Sequence, residues 1–219
     1  MRKLLMKIKN SSPKKKFLYN FFLVALSLAV ILVITLSFYV GRVFYIKNYG
    51  IKLVPLKNHS IQVSSYYRQN DPRWQDVEIG TSRRKMGSTG CLISSVSTAI
   101  SQLRSPVTPE ELNKMLTQVN GFQGADLIWY KINEVFPEID YRYSRIFSRE
   151  KIEKDLEEGL LPIVNVKYNK TGVTHWVLIV GADDGEFIIC DPLGDGNSTR
   201  LLSDHGNVFA YRVIEKVAD

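Results

Sequence analysis

The chain is poor in residues that cross-link or bind metals: 219 residues contain two cysteines and three histidines. Cys91 and Cys190 could form one bridge at most. That excludes a disulfide framework, and a body of about 150 residues buries an adequate core without one. Cys91, Cys190, His175 and His205 are too far apart in sequence for the paired-ligand spacing of zinc modules, so no metal and no cofactor is expected. No glycine-rich phosphate loop, internal repeat or low-complexity tract occurs. Acidic residues are absent from positions 1–40, and charge of either sign is absent from 17–40.

That uncharged stretch, Phe17 to Val40, is 24 residues long, and a helix of about 20 spans a hydrocarbon core. A cleaved signal peptide is the rival reading, but its apolar part is about 7 to 15 residues and ends in small residues. Here the run closes on Ser37, Phe38, Tyr39, Val40 and Gly41, which favours an uncleaved signal anchor. Seven basic residues (Arg2, Lys3, Lys7, Lys9, Lys14, Lys15 and Lys16) precede it, so the positive-inside rule places the N-terminus in the cytoplasm and the rest outside the cell membrane. Removing those seven from the 29 basic residues leaves 22 against 22 acidic ones. The net charge of +7 therefore reports topology, and no nucleic-acid partner is expected. The resulting division is a basic cytoplasmic tail (1–16), an anchor (17–40), a stalk (41–60) and a domain (61–219).

Within the domain, helical patterns come first. Leu92, Ile93, Val96, Ala99, Ile100 and Leu103 recur at helical spacing, ended by Ser105 and Pro106. Thr108, Pro109, Glu110 and Glu111 form an N-cap, a proline at the first helical position and an acidic first turn, opening a helix to about Gln118. A third helix is expected from Ala125 to about Phe136, and a fourth from Ser148 to Gly159, whose charge run reads as a solvated face. Tyr141 and Tyr143 alternate as a short strand. After Gly159 the period changes to two, giving strands over 160–166, 174–181, 186–190 and 208–214. Helices followed by an antiparallel sheet describe an α+β domain.

Four residues carry candidate chemistry. Cys91 follows Gly87 and Gly90 and falls at the start of a helix, where unpaired amides and the helix dipole favour a thiolate; the alternative is an inert buried cysteine. His175 opens the most apolar strand, as a base or as a hydrogen-bonded core histidine. Asp191 is fixed before Pro192 at a strand end, where it can orient the imidazole if the two strands are neighbours, or it is a solvated turn residue. Gln69 precedes the Asp71-Pro72 turn, as an oxyanion donor or a solvated loop residue. Cys190 should face the core if Asp191 faces the cleft, because neighbours on a strand point to opposite sides. His59 and His205 read as solvated. Asn58, Asn169 and Asn197 begin glycosylation sequons that matter only in a glycosylating host.

In this order, QNDPRW, GSTGCLISSVSTAI, HWVLIVG and ICDPLG resemble the papain-like cysteine peptidases of family 39, the bacteriocin-processing or double-glycine leader peptidases, and above all their stand-alone members. The resemblance runs from about Ile61 to Ile214. It implies a papain-like fold with a helical half bearing the nucleophile and a sheet half bearing the base. It also implies Cys91 as nucleophile, His175 as general base and then acid, Asp191 as the orienting acid, and Gln69 with the Cys91 amide as the oxyanion hole. The well-known members lead an ABC exporter, whereas no ATP-binding motif is found here. The expected function is a membrane-anchored extracytoplasmic peptidase acting through a Cys-His-Asp triad on an exported or cell-wall-associated peptide or protein. A peptide-binding module without activity and a transglutaminase-like acyl transferase are the alternatives.

Overall fold

The computed structural model describes residues 13–194 and 199–217, so most of the basic tail and the Asn197 sequon lie outside the described residues. The chain divides into two compact units, Met1–Tyr45 and Ile46–Asp219. The first is dominated by helix α1 (Pro13–Tyr49), which is long and apolar enough to cross a membrane. Two of its hydroxyls are satisfied within the helix: Ser27 donates to the Leu23 carbonyl at 2.9 Å and Thr35 to that of Ile31 at 3.0 Å.

The second unit starts earlier than residue 61. Ile46 and Leu53 are buried in its core, and Ile51 bridges Val208. The short strand β1 (His59–Ser60) pairs with the sheet. The Glu153 carboxylate, itself buried, accepts from the amides of Leu56 and Lys57 at 2.7 and 2.8 Å. Much of the expected stalk is therefore fastened to the folded unit. Its apolar residues are too sparse to show a period, so tertiary contacts alone reveal this. His59 is part-buried, 3.8 Å from Glu153, rather than solvated.

Helix α2 (Met86–Thr89) leads through Gly90 into α3 (Cys91–Leu103). Helix α4 (Pro109–Gln118) has a complete capping box: Glu111 N–H donates to Thr108 Oγ1, and Thr108 N–H donates to Glu111 Oε2 at 2.8 Å. The expected third helix is reduced to α5 (Lys131–Val135). Its first part is instead a hairpin of β2 (Phe122–Gln123) and β3 (Asp126–Leu127), turned by Gly124 at φ +64°. After β4 (Ile139–Ser144), α6 (Arg149–Glu157) ends before Gly159, where φ is +75°. Its charge run is only partly solvated. Asp155 is buried and accepts from Arg142 at 3.0 Å and from the Tyr211 hydroxyl.

The sheet is completed by β5 (Ile163–Lys167), β6 (Thr174–Asp183), β7 (Glu186–Cys190), β8 (Arg200–Leu201) and β9 (Ala210–Lys216). Its order is β4-β9-β5-β6-β7-β8, with β1 also on β6, and every pairing is antiparallel. Strand β6 is apolar on both faces because two cores meet at it. Leu178 and Val180 pack with Ile93, Val96 and Ile100 of α3, while Val177 and Ile179 join Ile189, Val213 and Leu202 on the other side. Burying each such side chain contributes about 1.5–3 kcal/mol, which holds the α3 start against the β6 start.

Candidate active site

Cys91 is the first residue of α3. Gly90 is required before it: a Cβ there would stand 2.4 Å from Met86 Sδ and 2.5 Å from the Met86 carbonyl. Any larger residue would push α2 away and move the thiol. Cys91 is buried, and that decides its resting state. Burial pushes the thiol up to about 11, and although the backbone amides of Trp176 and Leu92 favour the thiolate, they do not offset it; the Asp191 charge adds to the rise. The helix start alone therefore does not produce a thiolate. The Trp176 amide nevertheless places the thiol beside the residue that follows His175. The Ser95 hydroxyl, one turn along α3, reaches the Trp176 carbonyl at 3.4 Å.

His175 and Asp191 come together as expected from neighbouring strands, since β6 and β7 pair with Leu178 opposite Cys190. Imidazole Nε2 lies 2.6 Å from Asp191 Oδ1, and both side chains are buried. An ionised carboxylate only accepts, so this ring carries its proton on Nε2 and leaves Nδ1 as the basic nitrogen. Asp191 is ringed by donors. The Leu193 amide reaches Oδ1 at 2.9 Å, Arg200 Nη1 reaches Oδ2 at 3.0 Å, and His205 Nε2 lies 3.2 Å from Oδ2 at ion-pair range without hydrogen-bond alignment. Burial alone would raise the Asp191 pKa. The hydrogen bond from His175, the neighbouring His205 and the Leu193 amide together hold it below the usual carboxylate range.

The ring of donors closes on itself. Arg200 Nη2 donates to Asn169 Oδ1 at 2.8 Å, and the Asn169 amide donates to His205 Nδ1 at 2.9 Å. Accepting at Nδ1 fixes the neutral His205 tautomer with its proton on Nε2, the side of Asp191. Asn169 adopts φ +44° to do this. Its neighbour Tyr168 packs its ring on both histidines, with centroids 5.2 Å from His175 and 5.5 Å from His205. His205 is thus buried against the aspartate, not solvated in a turn.

Gln69 is buried as well. Its Nε2 donates to the Gly87 carbonyl at 2.9 Å, and its backbone amide donates to the Pro192 carbonyl at 3.0 Å. One residue thereby ties the loop before Cys91 to the turn after Asp191. The Tyr66 hydroxyl adds a second tie by donating to the Asp191 carbonyl. All four expected residues converge on one region of the fold. Cys190 is buried on the α3 side, away from Asp191, and both cysteines are free thiols. Among the described residues no group of three or more His, Cys, Asp or Glu side chains is placed to hold a metal ion.

The model of the Peptidase_C39-like family matches residues 61–217. The chain belongs to this family. A solved structure from Bacillus anthracis, classed as a C39-like peptidase, matches the fold of this family member with a TM-score of 0.51 at 11% identity, covering 74% of this chain and 100% of that one. No curated protein matches the chain by sequence. For this C39-like chain, sequence reasoning missed Arg200, His205 and Asn169. The one available signal was local: a histidine flanked by Asp204 and Gly206 closely follows an Asp-Pro turn, but nothing in that spacing points it inward.

Proposed function

We propose that the chain is a membrane-anchored cysteine peptidase that cleaves an exported or cell-wall-associated polypeptide on the outer side of the membrane. The observation that carries this reading is the 2.6 Å pairing of His175 Nε2 with a buried, ionised Asp191, one residue from the Trp176 amide beside Cys91. Since the Cys91 thiol rests protonated, its activation belongs to the encounter with substrate. His175 Nδ1 takes the thiol proton as Sγ adds to the scissile carbonyl carbon. Asp191 stabilises the imidazolium and keeps its proton on Nε2. The oxyanion is met by the Cys91 amide and by the second N–H of the Gln69 amide, whose first is held by Gly87. Collapse breaks the C–N bond, and the leaving amine takes the proton from His175. Water, deprotonated by the same nitrogen, then hydrolyses the thioester and restores the thiol.

The direct test is to quench the full chain in acid during turnover of a mixed peptide pool and weigh its Cys91-containing fragment. An added acyl mass, removed by hydroxylamine and missing in Cys91→Ala, is the expected result. Cleavage that continues unchanged in Cys91→Ala would sink the reading.

A further inference from the structure

Arg212 lies in the middle of β9 with an unusual set of neighbours. Its flanking residues Tyr211 and Val213 pack into the core on the far side of the sheet, so Arg212 shares the α3 side with Ile214. The guanidinium sits 5.6 Å from the centre of the Trp129 ring and 5.0 Å from that of Tyr143, and Nη1 donates to the Tyr211 carbonyl at 2.7 Å. Among the described residues no carboxylate lies within ion-pair distance of it. The similarly half-buried Arg104, Arg142 and Arg200 each pair with an acid, at 3.1, 2.8 and 3.0 Å. Burial also lowers the Arg212 pKa, the mark of a charge without a countercharge.

An aromatic shelf joins this cation to the thiol. Trp129 lies 6.3 Å from Trp176, centroid to centroid, and Trp176 adjoins His175 and faces Cys91 with its amide. Tyr141 and Tyr143 continue the shelf past Trp129, and Tyr143 is about half exposed. The register gives the scale. Arg212 and Leu178 both pair with Ile163, so Arg212 is two strands and two residues from Trp176. At about 4.8 Å per strand and about 3.3 Å per residue, the two backbones are roughly 12 Å apart. That is the length of about three to four residues of extended peptide.

Building on the peptidase reading, we propose that Arg212 and the Trp129–Trp176 shelf form a substrate subsite for a carboxylate carried about three to four residues from the scissile bond. The free edge of the guanidinium takes a carboxylate in a bidentate fork, and the rings exclude water from the pair. The carboxylate belongs either to an Asp or Glu side chain or to a chain terminus.

The full chain carrying Cys91→Ala, in detergent micelles, is titrated with decapeptides that hold a single Glu or Gln at each position in turn, with free or amidated C-termini. Tryptophan fluorescence reads the binding. The expected result is an affinity about tenfold higher for Glu than Gln at one position, lost in Arg212→Leu and partly kept in Arg212→Lys. If the preference is for free over amidated C-termini, the carboxylate is a terminus; if it survives amidation, it is a side chain. Equal or undetectable binding of Glu and Gln peptides that also shows no preference for a free C-terminus overturns the subsite, as does a preference unchanged in a folded Arg212→Leu protein, checked by near-ultraviolet circular dichroism. Cleavage by the wild-type chain is scored separately. Arg212-dependent acid preference without any cleavage would remove the peptidase reading and leave the subsite.

Discussion

Arg200 and His175 hold opposite oxygens of one carboxylate: Arg200 Nη1 donates to Asp191 Oδ2 at 3.0 Å, while His175 Nε2 pairs with Oδ1 at 2.6 Å. The aspartate cannot turn without breaking one of the two. Arg200→Ala should therefore leave the chain folded but lower the turnover of any peptide substrate about tenfold with little change in KM, at a stability cost of about 1–2 kcal/mol. Arg200→Lys keeps charge but lacks the planar fork whose two nitrogens reach Asp191 and Asn169 separately, and it should recover only part of the loss. Turnover unaffected by Arg200→Ala would mean the fork is surface decoration.

Asp191 carries a pH signature. Its folded pKa is depressed, so its stabilisation is complete above the ordinary carboxylate value of about 3.9 and is lost as pH falls below that value toward the folded one. Asp191→Asn should cost about 3 kcal/mol at pH 7, by breaking a buried pair, and flatten the loss of stability in acid. Activity should fall about a thousandfold because the imidazole loses its fixed tautomer. Urea titrations at pH 3 to 7 compare the two proteins. An acid limb of equal steepness in both would place that stability elsewhere.

The Cys91 thiol, pushed up to about 11, should react slowly with iodoacetamide at pH 7. Its alkylation rate, read by mass spectrometry of the Cys91 fragment, should climb about tenfold per pH unit until near that value. A fast, flat rate from pH 6 upward would reveal a resting thiolate–imidazolium pair and contradict activation on substrate binding.

Gln69→Ala removes a proposed oxyanion donor and the Gly87 tie together. A loss of about 10²–10³ in kcat with KM nearly unchanged is expected. Thermal unfolding separates the two roles: if instead the protein melts far lower and activity per folded molecule is normal, Gln69 is only a brace.

Much of the candidate site was legible because each part obeys a local rule. A glycine loop running into an apolar helix marks Cys91, and strand alternation places Cys190 and Asp191 on opposite faces, as observed. An Asp-Pro turn marks the end of β7. The missing parts are set by register and burial. Arg200 reaches Asp191 because the two-residue strand β8 pairs with β7, and a strand that short has no period to read. His205 turns inward because Asn169, in a left-handed conformation on another hairpin, offers its amide. The protonation of Cys91 is likewise a property of its burial, which the helix-start rule omits. The α+β class followed from the change of period after Gly159, whereas the papain-like fold was implied only by the resemblance of the four motifs. Residues 46–60 departed from expectation because isolated apolar residues such as Ile46 and Leu53 find partners only in the folded unit, and the β2–β3 hairpin because Gly124 takes a positive φ that a helix cannot hold.

The central claim is Cys91-dependent peptide hydrolysis outside the membrane. Cells carrying the wild-type chain or Cys91→Ala can be compared by mass spectrometry of every chain terminus in their surface and exported proteins. New termini on one or a few exported polypeptides are expected in the wild type only, lost again in His175→Ala. Identical inventories in all three, with the variants present at wild-type levels in the membrane, would contradict it.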